Sequence, residues 1–270
     1  MSNSKKHQAE IGIIGGSGFY NFLEQAEEII VDTPYGKPSD KIAVGSYQGQ
    51  RVAFLPRHGK NHKFVAHRIP YRANIYALKT LGVKRIIAPC AAGSLQFHIR
   101  PGSFVICDEF VDRTHNRQDT YYNGPKAIHI SSVQPYCPQL RSLAISQCKK
   151  LKIPVAEKGT VVVIEGPRFS SGAESQWFSK QGWEVVNMTQ YPEVVLAREL
   201  EMCYLNISLI TDFDAGLKGS EDIKPVTAKE VMRVFNDNLA KVKELIFSLI
   251  PEIVENRTCH CGEILKEAQL

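Results

Sequence analysis

Five short aliphatic runs in this chain each give way at once to glycine, small polar or charged residues, and this pattern restricts the fold most. Ile11–Ile14 is followed by Gly15-Gly16-Ser17-Gly18, and Val52–Leu55 by Pro56-Arg57-His58-Gly59. Lys84–Ala88 leads into Pro89-Cys90-Ala91-Ala92-Gly93-Ser94, and Glu184–Val186 into Asn187-Met188-Thr189. Tyr204–Ile210 leads into Thr211-Asp212-Phe213-Asp214. Helical patterns lie between the runs, which predicts a mixed α/β fold with at least partly parallel strands. Open sheets of this class bind ligands outside the carboxyl ends of their strands, so the segments after the runs are expected to face one cleft.

The helices are legible where their ends are marked. Tyr71, Ile75 and Leu78 share one face of a helix over Tyr71–Leu81, and Gly82 stands where a left-handed cap is wanted. Pro192–Leu200 begins with proline in its first turn. Thr227–Ile250 is the clearest, with Thr227 and Glu230 as a capping box. Its apolar stripe runs from Val231 through Val234, Phe235, Leu239, Val242 and Leu245 to Leu249, and Pro251 ends it. Ser103–Cys107 and Thr160–Ile164 read as further strands.

Composition narrows the function classes. The chain has 270 residues, 43% hydrophobic and 23% charged, enough for one large domain or two small ones with a sizeable core. A net charge of +5 is spread thinly, and the longest basic cluster, Lys149, Lys150 and Lys152, reads as a solvated helix end. Nucleic acid is therefore not expected as a partner, whereas a small anion suits the mild charge. Met1–Glu10 is polar and has no apolar signal core. No apolar stretch reaches the roughly 18 residues of a membrane span. No membrane association is expected, and the expected location is the cytoplasm.

Two kinds of chemistry sit in the loops. Gly15–Gly18 lets backbone N–H groups converge on an anion, with the Ser17 hydroxyl as a further donor. Alone this is also an ordinary strand-to-loop turn. Arg57 adds a planar fork for phosphate, beside His58, Thr189 and an approachable N–H at Ala91. At the other end, Asp212 and Asp214 are two apart and share a side if the backbone stays extended. Such a pair can accept from an exocyclic amine and donate to a ring nitrogen, the pattern of a base edge. Its other readings are a turn cap or a cation site, and no further carboxylates lie nearby to complete the latter.

Taken together these segments resemble a known family. IGIIGGSG from residue 11, VDTPYGKPSD from 31, LPRHG from 55, YRANIYALK from 71, EGPRFSS from 165, VVNMT from 185, PEVVLARE from 192 and TDFD from 211 are similar to the 5′-methylthioadenosine phosphorylases. These lie within the trimer-forming purine nucleoside phosphorylase superfamily, and the resemblance runs to about Ile250. It implies a single α/β domain over 1–270 with a twisted mixed sheet flanked by helices, a flexible segment over 1–9 and an extension over 251–270. It implies phosphorolysis of 5′-methylthioadenosine, with side activity on adenosine. Inorganic phosphate would be a co-substrate held by Ser17, Arg57, His58, Thr189 and the Cys90–Ala91 segment; Cys90 stands where the family often has threonine. Met188 would lie under the ribose and Phe169 beside the base. Asp212 would serve purine N7 and Asp214 the 6-amino group, as the catalytic pair. The apolar 5′ pocket would be walled by Val231 and Met232, with His129 supplied by a neighbouring subunit. Ser170 and Ala228 would tune substrate specificity. The partners implied are a nucleoside, phosphate and further copies of the chain, as a trimer or a dimer of trimers. No cofactor is implied.

Two other readings compete. A phosphorylase of 6-oxopurine nucleosides such as inosine and guanosine usually carries asparagine where Asp212 stands. A Rossmann-type nucleotide binder would need an acid about 20 residues after the glycine turn, and Asp32 and Asp40 lie in a proline-glycine segment.

The seven cysteines raise a separate question. Cys107 and Cys148 read as buried inert thiols. Cys259 and Cys261 form a C-x-C around His260 that lacks a second ligand pair nearby, so no metal is expected. The tail past Pro251 resembles the cysteine-rich tails of thermophile members. In a hyperthermophile protein, a Cys137–Cys203 bridge and one within the C-x-C are the expectation.

Overall fold

A computed structural model of the protein describes residues 7–16, 23–215, 217 and 227–268. Ser17 and Gly18 lie outside these residues, as does the segment 1–6. Ala9 is buried, and its N–H donates to the Leu81 carbonyl at 2.9 Å.

Among the described residues the strands are β1 (Ile11–Gly15), β2 (Glu24–Ile29), β3 (Ile42–Tyr47), β4 (Gln50–Pro56), β5 (Arg85–Ser94), β6 (Phe104–Val105), β7 (Glu109–Arg113), β8 (Val155–Ala156), β9 (Thr160–Ile164), β10 (Val185–Asn187) and β11 (Cys203–Phe213). The helices are α1 (Tyr71–Thr80), α2 (Pro138–Lys150), α3 (Gly172–Lys180), α4 (Gln190–Glu199) and α5 (Ala228–Leu249). One path through the mixed sheet runs β2-β3-β4-β1-β5-β10-β9-β7, while β11 lies along the other side of β5 and continues to β6 and β8. The α/β class with a single mixed sheet is as read from the sequence.

The central strands bury both faces. In β1, Ile14 joins one core with Leu55, Ile75, Leu78 and Val194, while Ile11 and Ile13 join the other with Phe54, Leu205, Leu140 and Leu245. Period-two alternation thus places α1 and α4 on one face and α2 and α5 on the other. Full burial of each such aliphatic side chain contributes about 1.5–3 kcal/mol. Gly12 permits the close approach: a Cβ there would lie 2.9 Å from Val83 Cγ1.

Two strands run further than the aliphatic runs suggest. The expected loop Pro89–Ser94 is the second half of β5, and Thr211-Asp212-Phe213 completes β11. Proline fits there because β5 is open on one side. β1 pairs with β5 in parallel only as far as Ile87, and β10 pairs antiparallel from Gly93. Between them, from Ala88 to Ala92, no described strand occupies that edge, so the missing proline N–H breaks no ladder. Helix α2 and the fully capped α3, where Ser171 and Glu174 bond each other's backbone, were not marked by the sequence pattern.

The C-terminal segment is fixed to the body. Arg85 donates to the carbonyls of Val254 and Glu255 at 2.6 and 2.7 Å, and Ile253, Cys261 and Ala268 are buried. All seven cysteines are free. Neither expected bridge is formed: Cys137, Cys203, Cys259 and Cys261 share one cluster instead of pairing off, with all four sulfurs within 4.8 Å of one another. The sequence spacing of the C-x-C did not reveal this, because its second pair comes from two distant elements.

Candidate active site

The gap in the sheet opens into a cavity of about 670 Å³ whose walls include Gly16, Arg57, His58, Cys90, Ala91 and Thr189. Met188, Phe169, Ser170, Asp212, Asp214, Ala228, Val231 and Met232 line it as well. Of the residues singled out above, His129 does not line this chain's cavity; its N–H donates to the Ala268 carbonyl at 2.8 Å.

Arg57 follows β4 and is buried. Its Nε and one terminal nitrogen donate to the two carboxylate oxygens of Glu193 at 2.6 and 3.0 Å, and the other nitrogen to the Pro89 carbonyl at 2.9 Å. Burial opposes its charge, but Glu193 outweighs burial and the guanidinium binds its proton more tightly than usual. Glu193 also accepts from Tyr204 at 2.8 Å. The Arg57 carbonyl is held by the Ser39 hydroxyl at 2.8 Å, and Asn74 clamps Ser39 with bonds of 2.7 and 2.8 Å. The VDTPYGKPSD and YRANIYALK stretches therefore converge on Arg57. Sequence reasoning missed Glu193, Ser39 and Asn74, because partners so distant in the chain leave no local signal.

His58 bonds the Phe64 carbonyl through Nδ1 at 2.9 Å and stacks on His62. Burial, together with Arg57 and His62, pushes its pKa down to about 4. The neutral ring then carries its proton on Nδ1 and offers Nε2 as an acceptor. His58 thus adds no positive charge of its own.

Ala91 sits on the open edge of β5. Pro89 points its carbonyl at Arg57, and strand residues two apart face the same side, so the Ala91 N–H opens toward the cavity. The Cys90 thiol turns away into a buried polar group, 3.2 Å from Asn187 Nδ2 and 3.3 Å from Asn206 Nδ2. What this segment offers an anion is backbone.

The carboxylates share a side, as their spacing predicts. A Cβ on Gly93 would lie 3.1 Å from Asp212 Oδ1 and 3.4 Å from Asp214 Cβ, so both stand over this glycine. A shift in register between Ile210 and Asp212 places them there. Asp212 accepts from Thr211 at 2.7 Å, and burial, with help from Asp214, raises its pKa to about 6. Burial also raises Asp214, with Ser175 and Ser170 hydroxyls opposing. The Ser170 and Ser175 hydroxyls stand at the Asp214 carboxyl, but neither they nor Asp214 Oδ2 close a well-formed hydrogen bond among the described residues. Asp214 therefore keeps acceptor capacity at the cavity wall.

Met188 is positioned through its backbone, whose carbonyl accepts from Arg117 at 3.0 Å and Tyr71 at 3.4 Å. Gly166, with φ of +69°, leaves room for its sulfur. Helix α5 lends Ala228, Val231, Met232 and Phe235 as an apolar wall. Thr227 caps this helix by accepting from the Glu230 N–H at 3.2 Å.

Backbone and guanidinium donors at one end, protonatable carboxylates at the other and apolar walls between them make an enzyme site of the nucleoside phosphorylase type. A family model described as Phosphorylase superfamily matches residues 10–251, and the chain belongs to that superfamily. It is 52% identical over 257 residues to the S-methyl-5′-thioadenosine phosphorylase of Pyrococcus horikoshii, covering 95% of this chain and 98% of the relative. It is 45% identical over 272 residues to the purine nucleoside phosphorylase of Streptomyces coelicolor, covering 97% and 96%. Its fold matches that of methylthioadenosine phosphorylase from Schistosoma mansoni in complex with adenine, with a TM-score of 0.90, 32% identity and coverage of 97% and 99%. No described helix is long and apolar enough to cross a membrane.

Proposed function

We propose that this protein splits 5′-methylthioadenosine with inorganic phosphate, yielding adenine and 5-methylthioribose 1-phosphate. The observation that carries the reading is the pair of carboxylates over Gly93, one of them with a pKa raised to about 6. Asp212 in its acid form gives its proton to purine N7, and Asp214 accepts from the 6-amino group. Phosphate sits at the open edge of β5, held by the Ala91 N–H, Thr189, Ser17 and the remaining guanidinium protons of Arg57, with His58 accepting from a phosphate hydroxyl. The C1′–N9 bond breaks, its electron pair leaves with adenine, and a phosphate oxygen forms the new bond to C1′. The path is loose: an oxocarbenium-like ribosyl group develops above Met188, and the nearby phosphate charge steadies it. Phe169 flanks the base.

The apolar wall of α5 suits a methylthio group, while Ala228 and Ser170 set the room around the ligand. Such walls reject a hydroxyl only weakly, by about 10²-fold, so adenosine is a slower substrate. His129 completes the 5′ end of a neighbouring subunit's cavity, in a trimer or a dimer of trimers, and the reaction runs in the cytoplasm. No cofactor takes part in this scheme.

The Streptomyces relative is named a purine nucleoside phosphorylase, which leaves the base open, and cleavage of 6-oxopurine nucleosides is the second reading. Adenine release from methylthioadenosine, followed with and without phosphate beside inosine, decides between them. Phosphate-dependent release of adenine supports the proposal. Phosphate-dependent cleavage of inosine alone selects the second reading, and release without phosphate removes the role given to Arg57.

A further inference from the structure

We propose that Cys137, Cys203, Cys259 and Cys261 form a tetrathiolate site for one zinc ion, which clamps the C-terminal tail to the body of the protein. The four sulfurs come from three separate parts of the fold. Cys137 directly precedes α2, Cys203 is the first residue of β11, and the other two flank His260 in the tail. All four sulfurs lie within 4.8 Å of one another, and Cys203 and Cys259 are 3.5 Å apart.

These spacings match a shared ion better than two covalent pairs. A disulfide holds its sulfurs about 2.05 Å apart, which divides four cysteines into two close couples. Four thiolates around zinc at about 2.3 Å stand about 3.8 Å apart along every edge of the tetrahedron. Here every sulfur pair lies within 4.8 Å, no more than about 1 Å beyond that edge, so a small contraction closes the four on an ion at their centre. Three of the cysteines are buried and Cys259 is half-buried, as in a closed structural site without an open coordination position. Among divalent cations a set of four thiolates selects zinc or iron over magnesium and calcium.

The surroundings fit the charge of such a site. Four thiolates and one dication carry two negative charges. Cys137 stands at the N-terminus of a 13-residue helix, the positive end of its dipole, without a side-chain cap bond. Arg198 lies within electrostatic reach of Cys137 and Cys261, and its Nε is buried with no hydrogen-bond partner among the described residues. Arg257 packs on Gly262, one residue past the cluster, and donates to the Glu201 carbonyl at 2.8 Å. Positive charge this close offsets part of the negative charge that four thiolates bring.

The ion would tie together segments far apart in the chain, and binding that requires the folded state adds to stability. It would also hold the tail whose Ala268 carbonyl fixes the loop of His129.

The test uses the full chain made in a reducing cytosol, purified with a non-chelating reductant and dialysed. Elemental analysis should find about one zinc per chain. Cys259→Ser/Cys261→Ser should bind less than a tenth as much, while Cys148→Ala, outside the cluster, keeps it. Cobalt(II) added to the metal-free wild-type chain should give intense thiolate-to-metal charge-transfer bands and the visible spectrum of a tetrahedral ion, a readout that needs no variant to fold. A reduced chain that binds neither zinc nor cobalt, or binds cobalt without those bands, overturns the proposal. So does a chain that emerges from the reducing cytosol with two disulfides among these four cysteines.

Discussion

Glu193 holds Arg57 at two points, 2.6 Å from Nε and 3.0 Å from a terminal nitrogen, with both side chains buried. The pair is neutral as a unit. An anion bound beside it meets oriented N–H groups rather than an excess of positive charge. Glu193 also points the guanidinium, since its two oxygens leave the arginine one orientation.

Glu193→Gln should therefore act on both stability and phosphate. Breaking one side of a buried ion pair typically costs about 3–5 kcal/mol. Denaturant unfolding should show a loss near that size, and the KM for phosphate should rise more than the KM for the nucleoside. Unchanged phosphate affinity in a folded variant would mean that Arg57 keeps its aim without Glu193.

Asp212 predicts the pH profile. The acid form is the one that donates a proton, and its pKa is raised to about 6, so kcat/KM should fall as pH rises through that value. Asp212→Asn should remove this limb and lower turnover by about 10²–10⁴-fold. A profile from the asparagine variant that keeps the same limb would assign it to another group.

His58 predicts a pH dependence of stability with the opposite proton balance. Its folded pKa of about 4 lies below its ordinary 6.5, so the unfolded chain binds the proton first as pH falls. The stability it contributes is present above 6.5 and is lost as pH falls through 4. After allowance for its partly open face, the loss is on the order of 2 kcal/mol. His58→Gln should flatten that part of the stability curve, read by urea unfolding at a series of pH values.

Gly93→Ala places a Cβ 3.1 Å from Asp212 Oδ1 and 3.2 Å from Val186 Cγ1. Overpacking costs about 1–3 kcal/mol. The displaced carboxylate should cost more in rate, about ten- to a hundredfold in kcat. Paired unfolding and kinetic measurements separate the two effects. A variant with normal kcat would show that Asp212 tolerates the shift.

Much of this was legible in the chain. Alternating aliphatic runs and capped helices carry the α/β class, and the residues after the runs do meet in one cavity. The Asp212–Asp214 spacing gave a shared side because β11 stays extended through Phe213. What was illegible depends on pairing across the chain. Pro89–Ser94 reads as a loop by composition, and only the departure of β1 from β5 makes room for proline in a strand. The Arg57–Glu193 pair and the four-cysteine cluster likewise join residues whose separation hides them from any local pattern. Ser17 lies outside the described residues, so its place at the phosphate end rests on resemblance.

An unpaired sheet edge is ordinarily a hazard, because any extended chain can dock on it and seed aggregation. The edge from Ala88 to Ala92 is short and framed: Pro89 to Ala92 line the cavity, with β1 and β10 as jambs on either side. The free stretch is only the five residues 88–92, too short to pair a full strand, yet a small ion can reach the amide there. The framing that shortens the hazardous edge is also what presents a single free amide to a ligand in the cavity.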